Sequence, residues 1–165
     1  MVVWTLAVDQ KSQHPVVILK DASGDRKIPI WIGHPEASVI AMELAGRRFQ
    51  RPLTHDLLVS FLKGLGGRIQ RVEITDLREN TFFARIFVSQ GEETLMIDAR
   101  PSDSIALALK TKARIYADMR LFSSEIDSLL TGAGVSSDDS EEQRAEELRE
   151  FIENLDPKDF GKFRF

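Results

Sequence analysis

The sequence predicts an α+β fold made of duplicated β-β-β-α units. Their strands are expected to form a mixed, barrel-like sheet flanked by helices, with an amphipathic helix added near the C-terminal end. Two observations lead there. Three segments rich in β-branched residues precede a helix-patterned one, and the same order recurs later in the chain. The ends of the two units also align. IWI (30–32) and IAMEL (40–44) match LMI (95–97) and IALAL (105–109) at a constant offset of 65 residues.

Each element has its own justification. VVWTLAV (2–8) and PVVILK (15–20) read as strands. The turn DASGD (21–25) leads into 26–32, where Ile28, Ile30 and Ile32 alternate onto one face. Pro29 has no N–H for a ladder, so this strand belongs at an edge or a bulge. Residues 35–46 read as a helix, with Pro35 suited to its first position and Gly46 just past its end. After the basic loop RRFQRP comes a helix over 54–67, capped by Thr54 and stopped by Gly66-Gly67. Leu57, Leu58, Phe61, Leu62 and Leu65 give it an apolar stripe. Strands over 68–77 and 81–90 flank a tight Glu79-Asn80 turn, and 92–99 forms a third. Ser102 is expected to cap a helix over 103–111, and 113–117 adds a short strand. Residues 118–135 are weakly patterned. A final helix starts near Ser140, aligns Ala145, Leu148, Ile152 and Leu155, and ends at Asp156-Pro157.

This gives a domain over 1–120, a linker over 121–139, and an acidic helix and tail over 140–165. The expected core is Ile30, Ile32, Leu58, Phe61, Leu95, Ile97, Ile105 and Leu109.

Composition narrows the functional classes. The 165 residues include no cysteine, which excludes disulfides and thiolate metal sites and points to a reducing, cytoplasmic setting. The first ten residues have no basic leader pattern, and no apolar run approaches the ~20 residues of a membrane helix. The net charge of −4 divides into +3 over residues 1–120 and −7 over 121–165. Avid non-specific binding of nucleic acid is therefore not expected, although a local basic cleft is allowed. The sequence contains no G-x-S-x-G, P-loop, G-x-G-x-x-G or H-E-x-x-H pattern.

Three polar clusters could carry chemistry. Asp98, Arg100 and Asp103 stand where a strand ends and a helix begins. The two carboxylates, joined by Glu36 from the equivalent helix start, could hold Mg²⁺ or Mn²⁺ and activate water against a phosphodiester. They could equally be a helix-start acid and an ion pair. His55 and Asp56 open another helix, where a histidine suits acid–base work near neutral pH and capping is the alternative. Arg47, Arg48 and Arg51 beside them, with Arg100, could fork onto phosphate oxygens or form a solvated face. The third cluster, GHPE at 33–36, reads first as a turn into a proline-started helix.

Together, the stretches at 28–41, RPLTHDLL (51–58), TFFARI (81–86) and DARPSDSIALAL (98–109) resemble the bifunctional nuclease domain family over roughly residues 3–120. The resemblance implies an α+β domain with nuclease activity on RNA and DNA. The positions matching its motifs are Glu36, Arg51, Thr54, His55, Asp56, Asp98, Arg100, Pro101, Ser102 and Asp103. The resulting expectation is a nuclease with His55, Asp56, Asp98 and Asp103 as catalytic groups. The competing expectation is a non-catalytic, homo-oligomeric binding or regulatory module. Self-association, most simply as a dimer through sheet edges or the tail helix, is expected in either case because open edges need cover.

Overall fold

The structure, a computed structural model, describes residues 1–9, 11–47, 49–132 and 141–153. Two three-stranded meanders, each ending in a helix, dominate it. In the first, β1 (Val2–Val8), β2 (Pro15–Lys20) and β3 (Lys27–Trp31) form an antiparallel sheet in that order, followed by α1 (His34–Leu44). β3 is an edge strand, as Pro29 requires. Next comes α2 (Thr54–Gly64), inserted between the units. In the second, β4 (Gly67–Arg78), β5 (Thr81–Gln90) and β6 (Glu93–Ala99) are antiparallel and lead into α3 (Pro101–Thr111). β7 (Arg114–Ala117) then runs parallel to β4, so the second sheet is ordered β6-β5-β4-β7. The fold is α+β, and the described strands divide between two sheets that form no closed barrel.

Local chemistry accounts for the turns. Glu79 and Asn80 both take positive φ, 48° and 59°, the geometry that joins two twisted antiparallel strands through a two-residue loop. Gly66 follows α2 at φ 76°, a conformation in which a Cβ would be strained.

The core lies where the two units meet. α1 and α3 pack on each other, α1 also on β2 and α3 on β4 and β5. Leu19, Ile28, Ile40, Ile74 and Ile105 are fully shielded there. Ile30 and Ile32 are buried as expected, and Leu109 packs at the margin. The other four expected core residues are not inside. Leu58 and Phe61 face solvent because α2 turns Val59 and Leu62 inward instead. Leu95 and Ile97 share a face with their buried partners Val88 and Ile86, but β6 is the outermost strand and that face is open there.

Two helix starts also differ from expectation. Arg100, not Ser102, precedes the first residue of α3, because Pro101 already takes the first helical position and leaves Ser102 buried inside the turn. Leu53, not Thr54, precedes α2, and its N–H donates to Asp56 Oδ2 at 2.9 Å.

The stretch expected as a linker begins as part of the body. A 3-10 turn (Met119–Leu121) and α4 (Ser124–Gly132) place Leu121 and Ile126 in the core. α5 (Glu141–Glu153) lies against β1 and α1, with Leu148, Phe151 and Ile152 turned inward and Ala145 exposed. Leu155, Asp156-Pro157 and the rest of the expected tail lie outside the described residues.

Truncating Ile105 to Ala should cost about 2–5 kcal/mol in a urea titration. Phe61→Ala should stay within about 0.5 kcal/mol of the parent monomer. Equal losses at both positions would contradict the burial described.

Candidate active site

α1 and α3 lie side by side and parallel, and charge marks two levels along them. Glu36 and Glu43 are seven residues apart on α1, as are Asp103 and Lys110 on α3. Seven residues make two turns, about 10.5 Å of rise. The same faces therefore meet twice. The first turn of α2 crosses nearby and supplies one side chain to each level.

At the upper level, Arg100 is the hub. Its Nη1 donates to Glu36 Oε1 at 2.8 Å, and its Nε donates to Asp103 Oδ2 at 2.8 Å. Asp103 Oδ1 lies 3.1 Å from His55 Nε2. A continuous chain Glu36–Arg100–Asp103–His55 thus links the starts of α1, α3 and α2. Only 15% of the His55 side chain is exposed. Gly33 contributes by lacking a side chain, since a Cβ there would stand 2.3 Å from Glu36 Oε2 and push that carboxylate off its place.

At the lower level, Lys110 donates to Asp56 Oδ1 at 2.6 Å and also to Glu43. Its side chain is only 7% exposed. Beside this triad opens a pocket of about 390 Å³, walled by Arg47, Gln50, Asp56, Ser60, Lys63 and Lys110. Sequence reasoning missed Glu43, Lys63 and Lys110. The seven-residue spacing was the available signal, legible only once the two helices are known to be parallel.

Electrostatics support the charged states. Burial pushes the Asp103 carboxyl up, but the Arg100 guanidinium and His55 outweigh it and hold it below its usual value. Burial likewise opposes ionisation of Asp56, and Lys110 with the Leu53 N–H overcomes it. Lys110 is raised because Asp56 and Glu43 outweigh its own burial. Arg100 is raised by Asp103 first and by Glu36 after it.

The expected site residues fall into separate places. His55, Asp103, Arg100 and Glu36 converge, and Asp56 and Arg47 share the neighbouring pocket. Arg51 is exposed on the loop before α2, and Arg48 lies outside the described residues. Asp98 stands apart. It stands across from Arg85 in the strand ladder on the outer face of the second sheet, while Arg100 turns to Asp103 and Glu36. Among the described residues no three His, Asp or Glu side chains stand where one metal ion would be held. Glu36 and Asp103 have a guanidinium between them, so these donors do not form a ligand set for Mg²⁺ or Mn²⁺ in this arrangement. Nor is any described helix long and apolar enough to cross a membrane.

The fold and site define a two-sheet α+β domain whose polar centre joins three helix starts through one arginine. The chain belongs to the bifunctional nuclease domain family, whose sequence profile matches residues 17–127. It is 36% identical over 164 residues to an uncharacterized protein of Mycobacterium tuberculosis, covering 94% of this chain and 93% of that one. It is 23% identical over 116 residues to Bifunctional nuclease 1 of Oryza sativa subsp. japonica, covering 68% of this chain and 35% of the plant protein. The Arabidopsis thaliana protein of the same name is 24% identical over 112 residues, covering 66% and 34%.

Lys110→Met should destabilise the fold by roughly 3 kcal/mol at neutral pH, because two partly buried carboxylates lose their cation. That figure sits at the low end of the usual range since Asp56 keeps some access to water. The loss should shrink as pH falls and the stranded carboxylates protonate. In the parent, the depressed Asp56 and Asp103 stabilise above the unfolded carboxyl value near 4 and stop doing so as pH falls through their folded values. Urea titrations of both proteins at pH 7 and about pH 3 test this, and a loss independent of pH would contradict it.

Proposed function

We propose that this chain is a nuclease that hydrolyses phosphodiester bonds in RNA, DNA or both. The observation that carries the reading is the His55–Asp103 contact at 3.1 Å, held in place by Arg100. A carboxylate that accepts the Nε2 proton fixes the imidazole tautomer and leaves Nδ1 as the basic nitrogen. Among the described residues Nδ1 has no hydrogen-bond partner. It is therefore free to take the proton of a water attacking phosphorus, or to return one to the departing oxygen. Arg47 and Lys63, which wall the adjoining pocket, would hold neighbouring phosphates. The family name and the plant relatives called bifunctional nucleases support the same class of substrate. A cytoplasmic setting fits the cysteine-free composition. No step here runs through a metal, and the Mg²⁺ or Mn²⁺ dependence expected from the sequence is carried into the assay.

Purified protein should cleave single-stranded RNA or DNA, measured with EDTA and with added Mg²⁺ or Mn²⁺. His55→Ala should slow cleavage by roughly 10²–10⁴-fold. Asp103→Asn should slow it and also move the pH profile, since the tautomer is no longer fixed. Arg47→Ala should mainly raise KM. Cleavage surviving intact in His55→Ala would end this reading and favour the non-catalytic module.

A second reading concerns assembly. Leu57, Leu58, Phe61 and Leu65 are exposed along α2, and Leu95, Met96 and Ile97 are exposed on the open edge strand β6. Exposed apolar side chains and an unpaired strand edge are both costly in water. We propose that a second copy of the chain covers it in a two-fold dimer. Light scattering should give twice the chain mass, and Phe61→Glu with Ile97→Glu should give monomers. A monomeric parent at micromolar concentration would exclude the dimer.

A further inference from the structure

The outer face of the second sheet, opposite the helices, has no part in the site described above. Register and alternation define what it carries. One row across the sheet reads Arg114, Arg71, Phe87, Met96, and the next reads Tyr116, Glu73, Arg85, Asp98. Aromatic rings and guanidinium groups thus share an open surface with two carboxylates. Tyr116 and Phe83 are exposed, and the Arg71 guanidinium lies 3.7 Å from the Phe87 ring centre.

From these rows we infer that this face is a track for single-stranded nucleic acid, a reading that takes its ligand class from the nuclease proposal. Charge is the first reason. Arg71 and Arg114 are register partners on parallel strands, and like charges side by side on a sheet repel. Arg71 is held by Glu73 at 2.7 Å. Arg114 and Arg85 have no hydrogen-bond or ion-pair partner among the described residues. Three nearby acids are already taken, Glu73 by Arg71, Asp76 by Arg78 at 2.6 Å and Asp118, which also lines the hollow between β4 and β7, by Arg120 at 2.8 Å, while Asp98 stands across from Arg85 in the ladder. Phosphates would relieve the Arg71–Arg114 repulsion and occupy the unpaired guanidinium groups.

Shape is the second reason. A hollow of about 370 Å³ lies between β4 and β7, with Arg71 and Glu73 on one side and Tyr116 on the other. Bases released from a duplex stack on aromatic rings and on arginine planes, and sheet faces bearing both are a recurrent solution. The hollow offers Tyr116 for stacking, with phosphate ligands one row away. This face gives a substrate strand a place to lie that is separate from His55 and leaves the active-site chain untouched.

The test reads binding and does not depend on cleavage. A fluorescein-labelled phosphorothioate single strand of about 12 nucleotides, within the usual span of such sites, is titrated in EDTA by anisotropy. The parent should bind with a salt-dependent constant. Arg114→Ala should weaken binding and reduce the slope of log K against log salt by about 0.7, and adding Arg85→Ala by about 1.4 in all. Tyr116→Ala should weaken binding at least about fivefold with little change of slope. Arg114→Lys should restore the slope, which separates lost charge from lost folding. If the parent binds and these face variants bind equally, or if the parent does not bind, the track is overturned even where cleavage is observed. If the face variants instead lower the oligomeric mass and leave binding unchanged, the face is a protein interface and the track is again overturned. Binding that depends on Arg114 in a protein that cleaves nothing would uphold the track and defeat the nuclease reading.

Discussion

Everything at the site depends on α3 being held along both flanks. Its apolar side is buried, with Ile105, Ala106 and Ala108 almost fully shielded. Its polar side bears Arg100 before the first turn and Lys110 in the last, each bonded to α1, with α2 tied to Asp103 and Lys110. Lys110 is the more demanding of the two because its ammonium has left water. A buried cation is tolerable only with its counter-charges fixed in place, so Glu43 and Asp56 set the spacing of three helices. Once that spacing is set, His55 meets Asp103, whose carboxylate Arg100 orients.

The two levels divide the work. The Lys110 ammonium is buried between two carboxylates, which suits a structural brace. Arg100 is largely exposed and His55 partly so, which leaves them open to a ligand. The brace and the candidate catalytic pair share the first turn of α2, where His55 and Asp56 are adjacent. A substitution at either residue therefore reaches the other through a single peptide unit.

Much of the fold was legible because strand alternation, helix spacing and turn residues are local signals. The β-β-β-α order, the Glu79-Asn80 turn and the edge position implied by Pro29 all came from such signals. What was hidden was which side of an element has a neighbour. The stripe Leu57, Leu58, Phe61, Leu65 has helical spacing, but spacing reports that a face is apolar and not what covers it. The same holds for Leu95 and Ile97, which keep the core's side of the sheet and run past its cover. At the site, closeness in sequence misled in one direction and distance in the other. Asp98 is two residues from Arg100, yet β6 ends at Ala99, so Asp98 stays on the strand's outer face while Arg100, at the turn into α3, swings to the helices. Glu36 is 64 residues away and touches Arg100. Lys110 showed itself only through its seven-residue spacing from Asp103, since a lysine near a helix end is ordinarily a solvated charge.

The guanidinium of Arg100 spans the seam between the two repeated units, with one carboxylate from each. Repetition alone yields two equal halves, and an arginine shared between them breaks that equality. The first unit keeps an acid and nothing more, while the second has the arginine, the acid and, through α2, the imidazole. The repeat is visible in the backbone and in the Ile40 and Ile105 positions, and the polar chain lies in the asymmetry between the two units.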